Sequence, residues 1–255
     1  MIQTERLSKH FGNTAAVVDL DLRIEPGEVF GFLGPNGAGK STTVKILTGL
    51  IPAGSGRAIV AGYDVAEQPL EAKKRLGFVP ETPRLYESLT ADAFLDVMGA
   101  LYHLDPTTSK KRRNDLIELF DLGDVRYQRL REFSKGMRQK VVIAAALIHR
   151  PEVLILDEPF DGLDANTALV MKALLREMAA QGKTILFSSH ILEVVERICT
   201  RMCIIDKGRK VAEGTADDIR RDFRASSLDE AFGRLTGVRE PAQVTADILA
   251  ALARP

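Results

Sequence analysis

The stretch GPNGAGKST, from Gly34 to Thr42, decides the fold class of this chain. It matches the pattern G-x-x-x-x-G-K-[ST] and lies between the apolar segment VFGFL (29–33) and a helical segment (40–49). Glycines in such a loop let successive backbone N–H groups turn toward a phosphate chain, and the start of the following helix adds partial positive charge. The stretch therefore predicts a phosphate-binding loop between a buried strand and a helix.

Two side chains of this loop have specific predicted roles. The ammonium of Lys40 is placed to pair with the β- and γ-phosphates of a nucleotide, and the hydroxyl of Ser41 is placed to reach Mg²⁺. The residues that we expect to contact the nucleotide here are Gly34, Pro35, Asn36, Gly37, Ala38, Gly39, Lys40, Ser41 and Thr42.

The segments on either side of the loop alternate between strand and helix patterns. VVDLDLRI (17–24) alternates apolar and polar residues, as a half-buried strand does. After Pro151 the chain reads as VLILD, a helix near 165–180, TILFS, a helix near 191–199, and MCIID. Such alternation predicts a parallel sheet with helices between its strands.

Residues 84–150 interrupt this alternation with a helical block. Segments 91–104 and 110–122 are both amphipathic, and Thr90 and Ser109 are candidate N-caps for them. A third helix is predicted from Ser134 to about His149, because FSKGMRQK leads directly into the apolar run VVIAAALI. The sequence therefore predicts a helical insertion in the sheet domain.

The segment VLILDEP (153–159) ends a short apolar strand with two carboxylates. An acid at a strand end beside a phosphate loop suits Mg²⁺ ligation, and Asp157 takes that role. Glu158 then faces the attacking water as the general base. Without the phosphate loop upstream, the same residues would be interpreted as solvated acids at a strand end.

Two further residues have a functional and a structural interpretation. His190 follows the strand TILFSS, where a neutral imidazole would hydrogen-bond a γ-phosphate; the alternative is a helix-capping or partly buried histidine. Phe11 lies after the first strand, where its ring would stack on a purine; the alternative is a core aromatic. The sequence leaves both alternatives open.

Composition excludes several classes of protein. The 255 residues carry 35 basic and 35 acidic side chains, so net charge gives no reason to expect a nucleic-acid partner. The KKRR run (110–113) is interpreted as a solvated helix face, and Cys199 and Cys203 are too few for a disulfide framework. The start of the chain lacks the apolar core of a signal peptide, and the longest apolar run (141–148) is too short to span a bilayer.

Together these motifs resemble the nucleotide-binding subunit of ABC transporters, over roughly residues 2–222. The motifs, in chain order, are the adenine-stacking Phe11, Walker A (Gly34 to Ser41), a Q-loop-like segment (78–90), the signature (Ser134 to Gln139), Walker B (Val153 to Asp157), Glu158, the D-loop DGLD (161–164) and the switch His190. The resemblance implies an α/β P-loop NTPase (RecA-like) core with an N-terminal antiparallel β part and an inserted helical subdomain.

The implied domain boundaries follow the same motifs. An ABC ATPase domain is expected over 1–222, with its core at about 1–83 and 151–222 and its helical subdomain at about 84–150. A C-terminal helical extension is expected over 223–255, which contains the amphipathic stretches SLDEAFGRL (227–235) and VTADILAALA (244–253).

Two positions depart from the commonest pattern of the family. Glu81 stands where a glutamine usually opens the Q-loop, and we expect it to contact Mg²⁺ or water. The signature reads FSKGM in place of LSGGQ, which keeps Ser134 and Gly136 and introduces Lys135. This variant is similar to those of exporter subunits that pair with type-2 ABC membrane proteins.

The resemblance also implies the cofactors and partners. ATP and Mg²⁺ are expected between two such subunits, which form a homodimer or, as the alternative, a heterodimer. The residues expected to meet the ATP of the other subunit are Ser134, Lys135, Gly136 and Asp164. A separate transmembrane permease would hold the chain at the cytoplasmic face of the membrane, through the segment with Leu85, Tyr86 and Leu89. These three residues have a structural alternative, which is to anchor the loop.

Two other functions remain as alternatives. A soluble ABC ATPase in cofactor assembly, DNA repair or ribosome-associated work would share the catalytic motifs. A P-loop kinase would share the phosphate loop, but the signature and the D-loop argue against it.

Overall fold

The structure is a computed structural model that describes residues 1–189 and 191–237, together with positions 245, 249, 251 and 252. In chain order its strands are β1 (Ile2–Phe11), β2 (Thr14–Ile24), β3 (Val29–Leu33), β4 (Ser55–Val60), β5 (Tyr63–Asp64), β6 (Leu76–Val79), β7 (Val153–Asp157), β8 (Thr184–Ser189), β9 (Arg201–Asp206) and β10 (Arg209–Gly214). Its helices are α1 (Lys40–Leu47), α2 (Pro69–Arg75), α3 (Ala91–Leu101), α4 (Pro106–Leu119), α5 (Lys135–Leu147), α6 (Ala165–Ala180), α7 (Leu192–Ile198), α8 (Ala216–Asp222) and α9 (Leu228–Thr236).

The smaller sheet is antiparallel and has the strand order β2-β1-β4-β5. Leu20, Leu22 and Ile24 of β2 are buried, as the alternating pattern predicts. The alternation breaks at Asp19, whose φ of 47° marks an irregularity in the strand. Val17 is therefore fully buried and Val18, which the pattern had placed on the apolar face, is only half-buried.

The larger sheet has the order β10-β9-β3-β8-β7-β6 and is parallel except for the edge strand β10. Its register aligns Leu33 at the end of β3 with Ser189 of β8, and Asp157 at the end of β7 with Ser188. Parallel strands present their carboxyl ends at one edge of a sheet, where open α/β sheets bind ligands. The phosphate loop and the predicted acids therefore lie along the same edge. The predicted α/β fold, with its antiparallel N-terminal part, is confirmed.

Helices α3, α4 and α5 lie between β6 and β7, where a helical insertion was expected. Thr90 caps α3 as predicted, since its hydroxyl accepts the Ala93 N–H at 3.1 Å. The predicted cap at Ser109 is wrong. Helix α4 begins four residues earlier, because Asp105 accepts the Thr108 N–H at 2.9 Å and Pro106 supplies a φ suited to the first helical position.

The apolar run of α5 packs into the larger of two hydrophobic clusters. Residues 141–146 are all buried, among side chains from α3, β7 and β8. Ser134 caps α5 as expected, accepting the Met137 N–H at 3.2 Å. The predicted ends of α3 and α5 were slightly too long: α3 ends at Leu101 before His103, whose φ is 54°, and α5 ends at Leu147.

The stretch 227–235 is helical, as α9 with Ser227 as its cap. The second stretch of the predicted C-terminal extension, 244–253, lies largely outside the described residues. Nothing in the structure tests the proposed domain boundaries, which stay predictions.

His149 joins the inserted helices to the sheet. Its ring stacks on Tyr102, with centroids 3.6 Å apart, and its Nε2 donates to the Leu76 carbonyl of β6 at 3.1 Å. Burial lowers the pKa of His149 to about 4; the hydrogen bond to Leu76 opposes this effect and the charge of Arg112 adds to it. The imidazole is therefore neutral in the folded chain at neutral pH.

A pH dependence of stability follows from this histidine. Its pKa in the unfolded chain is about 6.5, so below that pH the unfolded chain binds more protons than the folded one. Stability is then lost as the pH falls from about 6.5 toward the folded value of about 4. When the pH is lowered from about 7 to about 5, the free energy of unfolding should fall in both proteins. We expect the fall to be about 1–2 kcal/mol smaller in His149→Gln than in the native chain.

Urea unfolding at the two pH values measures this difference. His10→Gln, at an exposed position on β1, is the matched control and should keep the native pH dependence. An unchanged pH dependence in the His149 variant would contradict the assignment.

Candidate functional site

The loop from Gly34 to Gly39 connects β3 to α1. Gly39 has a φ of 108°, and a Cβ built on it would lie 2.3 Å from the Ala16 carbonyl oxygen, so only glycine is accommodated there. Gly39 is also the N-cap of α1, and it offers no side chain to accept from the first N–H groups of the helix. The start of α1 therefore presents backbone donors and the positive end of the helix dipole, as an anion site requires.

Lys40 folds back over this loop. Its Nζ donates to the carbonyl of Gly34 at 2.6 Å and lies 3.3 Å from that of Pro35. Burial lowers the pKa of Lys40, while the negative charges of Glu158, Asp157 and Glu81 oppose that shift. A partly desolvated cation at the start of a helix favours an anionic ligand.

A cavity of about 210 Å³ opens at the loop. It is lined by residues 14–16 of β2, residues 35–42, Glu81 and Glu158. Most of the predicted nucleotide contacts thus meet around one space, with two acids at its rim. Its volume is below the ~300–1,000 Å³ of a typical ligand pocket, so it suits part of a nucleotide better than a whole one.

The two acids after β7 are fixed by β8. Asp157 is buried, and the Ser188 hydroxyl donates to its Oδ1. Glu158 has a φ of 49°, and its N–H donates to the Ser188 carbonyl oxygen at 3.2 Å. A left-handed conformation at a residue other than glycine costs on the order of 1–3 kcal/mol, so the surrounding contacts must hold it. Ser188 thus contacts the Asp157 carboxylate and the Glu158 backbone, although its place in the sequence predicted no role beyond the strand.

Phe11 is the one predicted nucleotide contact among the described residues that lies on a different strand, β1. Phe11 ends β1 with its side chain half exposed, and the Lys9 ammonium lies 5.5 Å from its ring centroid. Among the described residues that line the cavity, Phe11 does not occur. His190 lies outside the described residues.

The signature residues lie apart from this cavity at the start of α5, where Ser134 and Lys135 are exposed and Gln139 is buried. None of the described residues 134–140 lines the cavity at the phosphate loop. Lys135, which we expected to meet the ATP of another subunit, pairs with Asp161 of its own chain, with 2.7 Å between Nζ and Oδ2. A Cβ built on Gly136 would lie 2.7 Å from the Gly162 carbonyl oxygen, so the signature packs tightly against the D-loop.

Asp164 caps α6. Its Oδ1 accepts the Thr167 N–H at 2.9 Å, and its Oδ2 accepts the Thr167 hydroxyl at 2.6 Å. The two hydrogen bonds from Thr167 lower the pKa of Asp164 despite a small opposing effect of burial. Both oxygens of this carboxylate thus have a structural partner within the chain.

These features define a P-loop NTPase. They are a buried parallel strand, a glycine-rich turn over which a lysine folds back, a helix N-terminus, and a second strand that ends in acids. No described group of three or more histidine, cysteine, aspartate or glutamate side chains is placed to hold a metal by itself. A P-loop does not need one, since Mg²⁺ in these sites is usually shared among a hydroxyl, a carboxylate, phosphate oxygens and water.

Comparisons with known proteins narrow this class to one family. Residues 17–161 match the family model for ABC transporter. The chain is 36% identical over 252 residues to linearmycin resistance ATP-binding protein LnrL of Bacillus subtilis, a match that spans 96% of this chain and 80% of that protein. It is 34% identical over 257 residues to Nod factor export ATP-binding protein I of Cupriavidus pinatubonensis, spanning 98% of this chain and 79% of that protein.

A solved structure of an ATP-binding subunit of an ABC transporter superposes with a TM-score of 0.87 at 37% identity. The superposition covers 92% of this chain and 99% of that one. The chain belongs to the ABC transporter family, as an ATP-binding and ATP-hydrolysing subunit. Within residues 1–189 and 191–237, no helix is both long and apolar enough to cross a bilayer.

The contacts of Ser188 predict its effect on hydrolysis. Ser188→Ala removes the hydroxyl that fixes Asp157, so we expect the acid to be positioned less well and kcat to fall roughly tenfold, which is about 1.4 kcal/mol of activation free energy. Steady-state ATP hydrolysis measures the change. Ser226→Ala, which removes an exposed hydroxyl near the end of the described chain, should leave kcat unchanged. A native kcat in Ser188→Ala would contradict the role of this hydroxyl.

Proposed function

We propose that this chain powers export through a separate transmembrane permease, as one of two identical ATP-hydrolysing subunits. The observation that carries the proposal is the separation of the two halves of the site. The phosphate loop forms a cavity of only about 210 Å³, and the exposed signature at Ser134 lies outside it. A second copy of the chain supplies the missing half to each loop, and a self-complementary interface then contains two equivalent sites.

The direction of transport is supported by similar proteins. The names of two relatives describe linearmycin resistance and Nod factor export, and the SKGM signature also resembles those of exporter subunits. The cargo would be selected by the permease, so this chain supplies the energy and not the specificity.

The phosphate-binding half of the site is assigned from the geometry of the loop. The backbone N–H groups of residues 36–42 and the ammonium of Lys40 bind the phosphates. Ser41 and Asp157 would hold Mg²⁺, with Glu81 at the rim of the cavity as a further oxygen donor. When bound, Mg²⁺ neutralises the charge that develops on the phosphate oxygens.

Hydrolysis is assigned to the groups that follow the strand ends. Glu158 accepts a proton from the attacking water, and its left-handed backbone turns it toward the cavity that it lines. His190, directly after β8, would hydrogen-bond the γ-phosphate and keep the water and Glu158 aligned. Phe11 stacks on the adenine, for which its half-exposed ring is available.

The second half of the site is the surface formed by Ser134, Lys135, Gly136 and Asp164. The N-terminus of α5 and the Ser134 hydroxyl meet the γ-phosphate bound by the other protomer. Gly136 lets the D-loop approach closely, and Asp164 holds that loop against α6. Closure over ATP and release after hydrolysis then form the working cycle.

The permease contact is assigned to the segment after Glu81. Leu85 and Leu89 pack against the larger hydrophobic cluster, whereas Tyr86 is 71% exposed. The two leucines thus anchor the loop, and Tyr86 is available for a partner. Binding there would hold the chain at the cytoplasmic face of the membrane.

Removing the proposed base separates ATP binding from turnover. Glu158→Gln keeps the size of the side chain but cannot accept the proton, so we expect hydrolysis to fall by at least about 100-fold. ATP binding should persist, and the closed dimer should accumulate because its ATP is not consumed. Size-exclusion chromatography with and without ATP, beside a hydrolysis assay, measures both effects.

Glu67→Gln, at an exposed position near α2, is the matched control and should behave as the native chain. Substantial turnover in Glu158→Gln would show that another group is the base. Isolation of the native chain from membranes tests the partner: recovery of an integral membrane subunit supports the proposal, and recovery of soluble or ribosomal partners alone overturns it.

A further inference from the structure

One face of α5 is fastened to the loop that follows β7 in the same chain. This loop is residues 158–164, and it begins with Glu158. The residues of α5 involved are 135, 136, 139 and 140. They lie on one side of the helix because 135 and 139, and likewise 136 and 140, are four positions apart, and 136 and 139 are three apart. The signature helix and this loop are therefore in contact along two turns of α5.

Four contacts make up this junction. Lys135 pairs with Asp161 at 2.7 Å, and Gly136 packs on the Gly162 carbonyl. Further along, the Gln139 side chain donates to the Pro159 carbonyl at 3.3 Å, and the Lys140 ammonium lies 3.8 Å from the Asp164 carboxylate. The contact at Pro159 is only one residue from Glu158.

The methylene carbons of the Lys135 side chain also contact the loop. A Cβ built on Gly162 would lie 3.2–3.3 Å from three of its methylene carbons, so its stem lies across the loop. Stem and charge together hold Asp161 in one place.

The opposite side of the same turn is also held. The Arg138 guanidinium donates to the carbonyls of Leu130 and Arg131, at 3.2 and 2.9 Å, and pairs with Glu87 at 3.4 Å. The start of α5 is thus fixed on both sides. If the loop shifted relative to α5, the helix could not follow it, because both sides of its first turn are held. The contacts at Lys135 would therefore break.

We propose that Lys135 is a positioning residue for hydrolysis in its own protomer: by holding Asp161 it fixes the loop that carries Glu158. This proposal rests on the assignment of Glu158 as the base. It gives Lys135 a role within the chain, distinct from a direct contact with the ATP of the other protomer. Catalytic groups lose efficiency when their geometry loosens, so the effect falls on kcat rather than on ATP binding.

Exchange of the two charges tests the proposal. An exposed ion pair is a modest interaction, so Lys135→Gln and Asp161→Asn should each lower kcat by about threefold to fivefold, with KM for ATP within about twofold. The double variant should fall no further than either single one, because both remove the same interaction. The exchange variant, Lys135→Asp with Asp161→Lys, should recover to within about twofold of the native kcat.

Lys111→Gln, at an exposed position on α4, is the control for loss of a lysine and should keep the native kcat. Failure of the exchange variant to recover overturns the proposal. So does a pattern in which Lys135→Gln raises KM while Asp161→Asn has no effect, since that pattern means that Lys135 binds phosphate across the interface.

A second measurement is independent of the base assignment. Amide hydrogen exchange at residues 161–164 of the nucleotide-free chain should be faster in both single variants and return toward the native rate in the exchange variant. Unchanged exchange in the single variants overturns the proposal whatever Glu158→Gln shows. If exchange is faster in the single variants but Glu158→Gln still hydrolyses ATP, then Lys135 does hold the loop and only the assignment of Glu158 as the base is rejected.

Discussion

Parallel pairing of β3, β8 and β7 is the constraint on which the site depends. It ends three strands at one edge of the sheet, so the phosphate loop lies beside Asp157 and Ser189, although both follow the loop by more than a hundred residues in sequence. The buried hydrogen bond from Ser188 to Asp157 then fixes the acid, and the Glu158 N–H donates to the same serine. A strained backbone at Glu158 persists because β8 holds it.

Helix α5 applies a second constraint, on the surface that we propose as the second half of the site. Its apolar body is buried from 141 to 146, so the helix cannot swing independently, and its polar start is left on the surface. The contacts of Lys135 and Gln139 join that start to the loop that carries Glu158. In the proposed dimer, one protomer thus links the surface that would meet its partner's nucleotide to the acid at its own.

Local features were predictable from the sequence because they depend on near neighbours. The glycine-rich loop, the buried strand before it and the caps at Thr90 and Ser134 follow from patterns a few residues long, and they are observed. The error at Ser109 has the same origin, since Asp105 followed by proline was the stronger local signal for a helix start.

Contacts between distant segments were not predictable in this way. Lys135 and Asp161 are 26 residues apart, and Ser188 and Asp157 are 31 apart, so no periodicity relates them. The roles assigned to individual residues of the site remain proposals. The Phe11 ring is half exposed, but Phe11 is not among the described residues that line the cavity. His190 lies outside the described residues.

Mixing two inactive variants tests most directly whether each ATP site is built from two chains. Lys40→Ala disables the phosphate loop, and Ser134→Arg disables the signature surface. A mixed dimer has one intact site, formed by the loop of the Ser134 variant and the signature of the Lys40 variant. If half of the dimers are mixed, hydrolysis should return to about a quarter of the native rate. No recovery on mixing, with mixed dimers demonstrated by cross-linking, would contradict a site shared between two protomers.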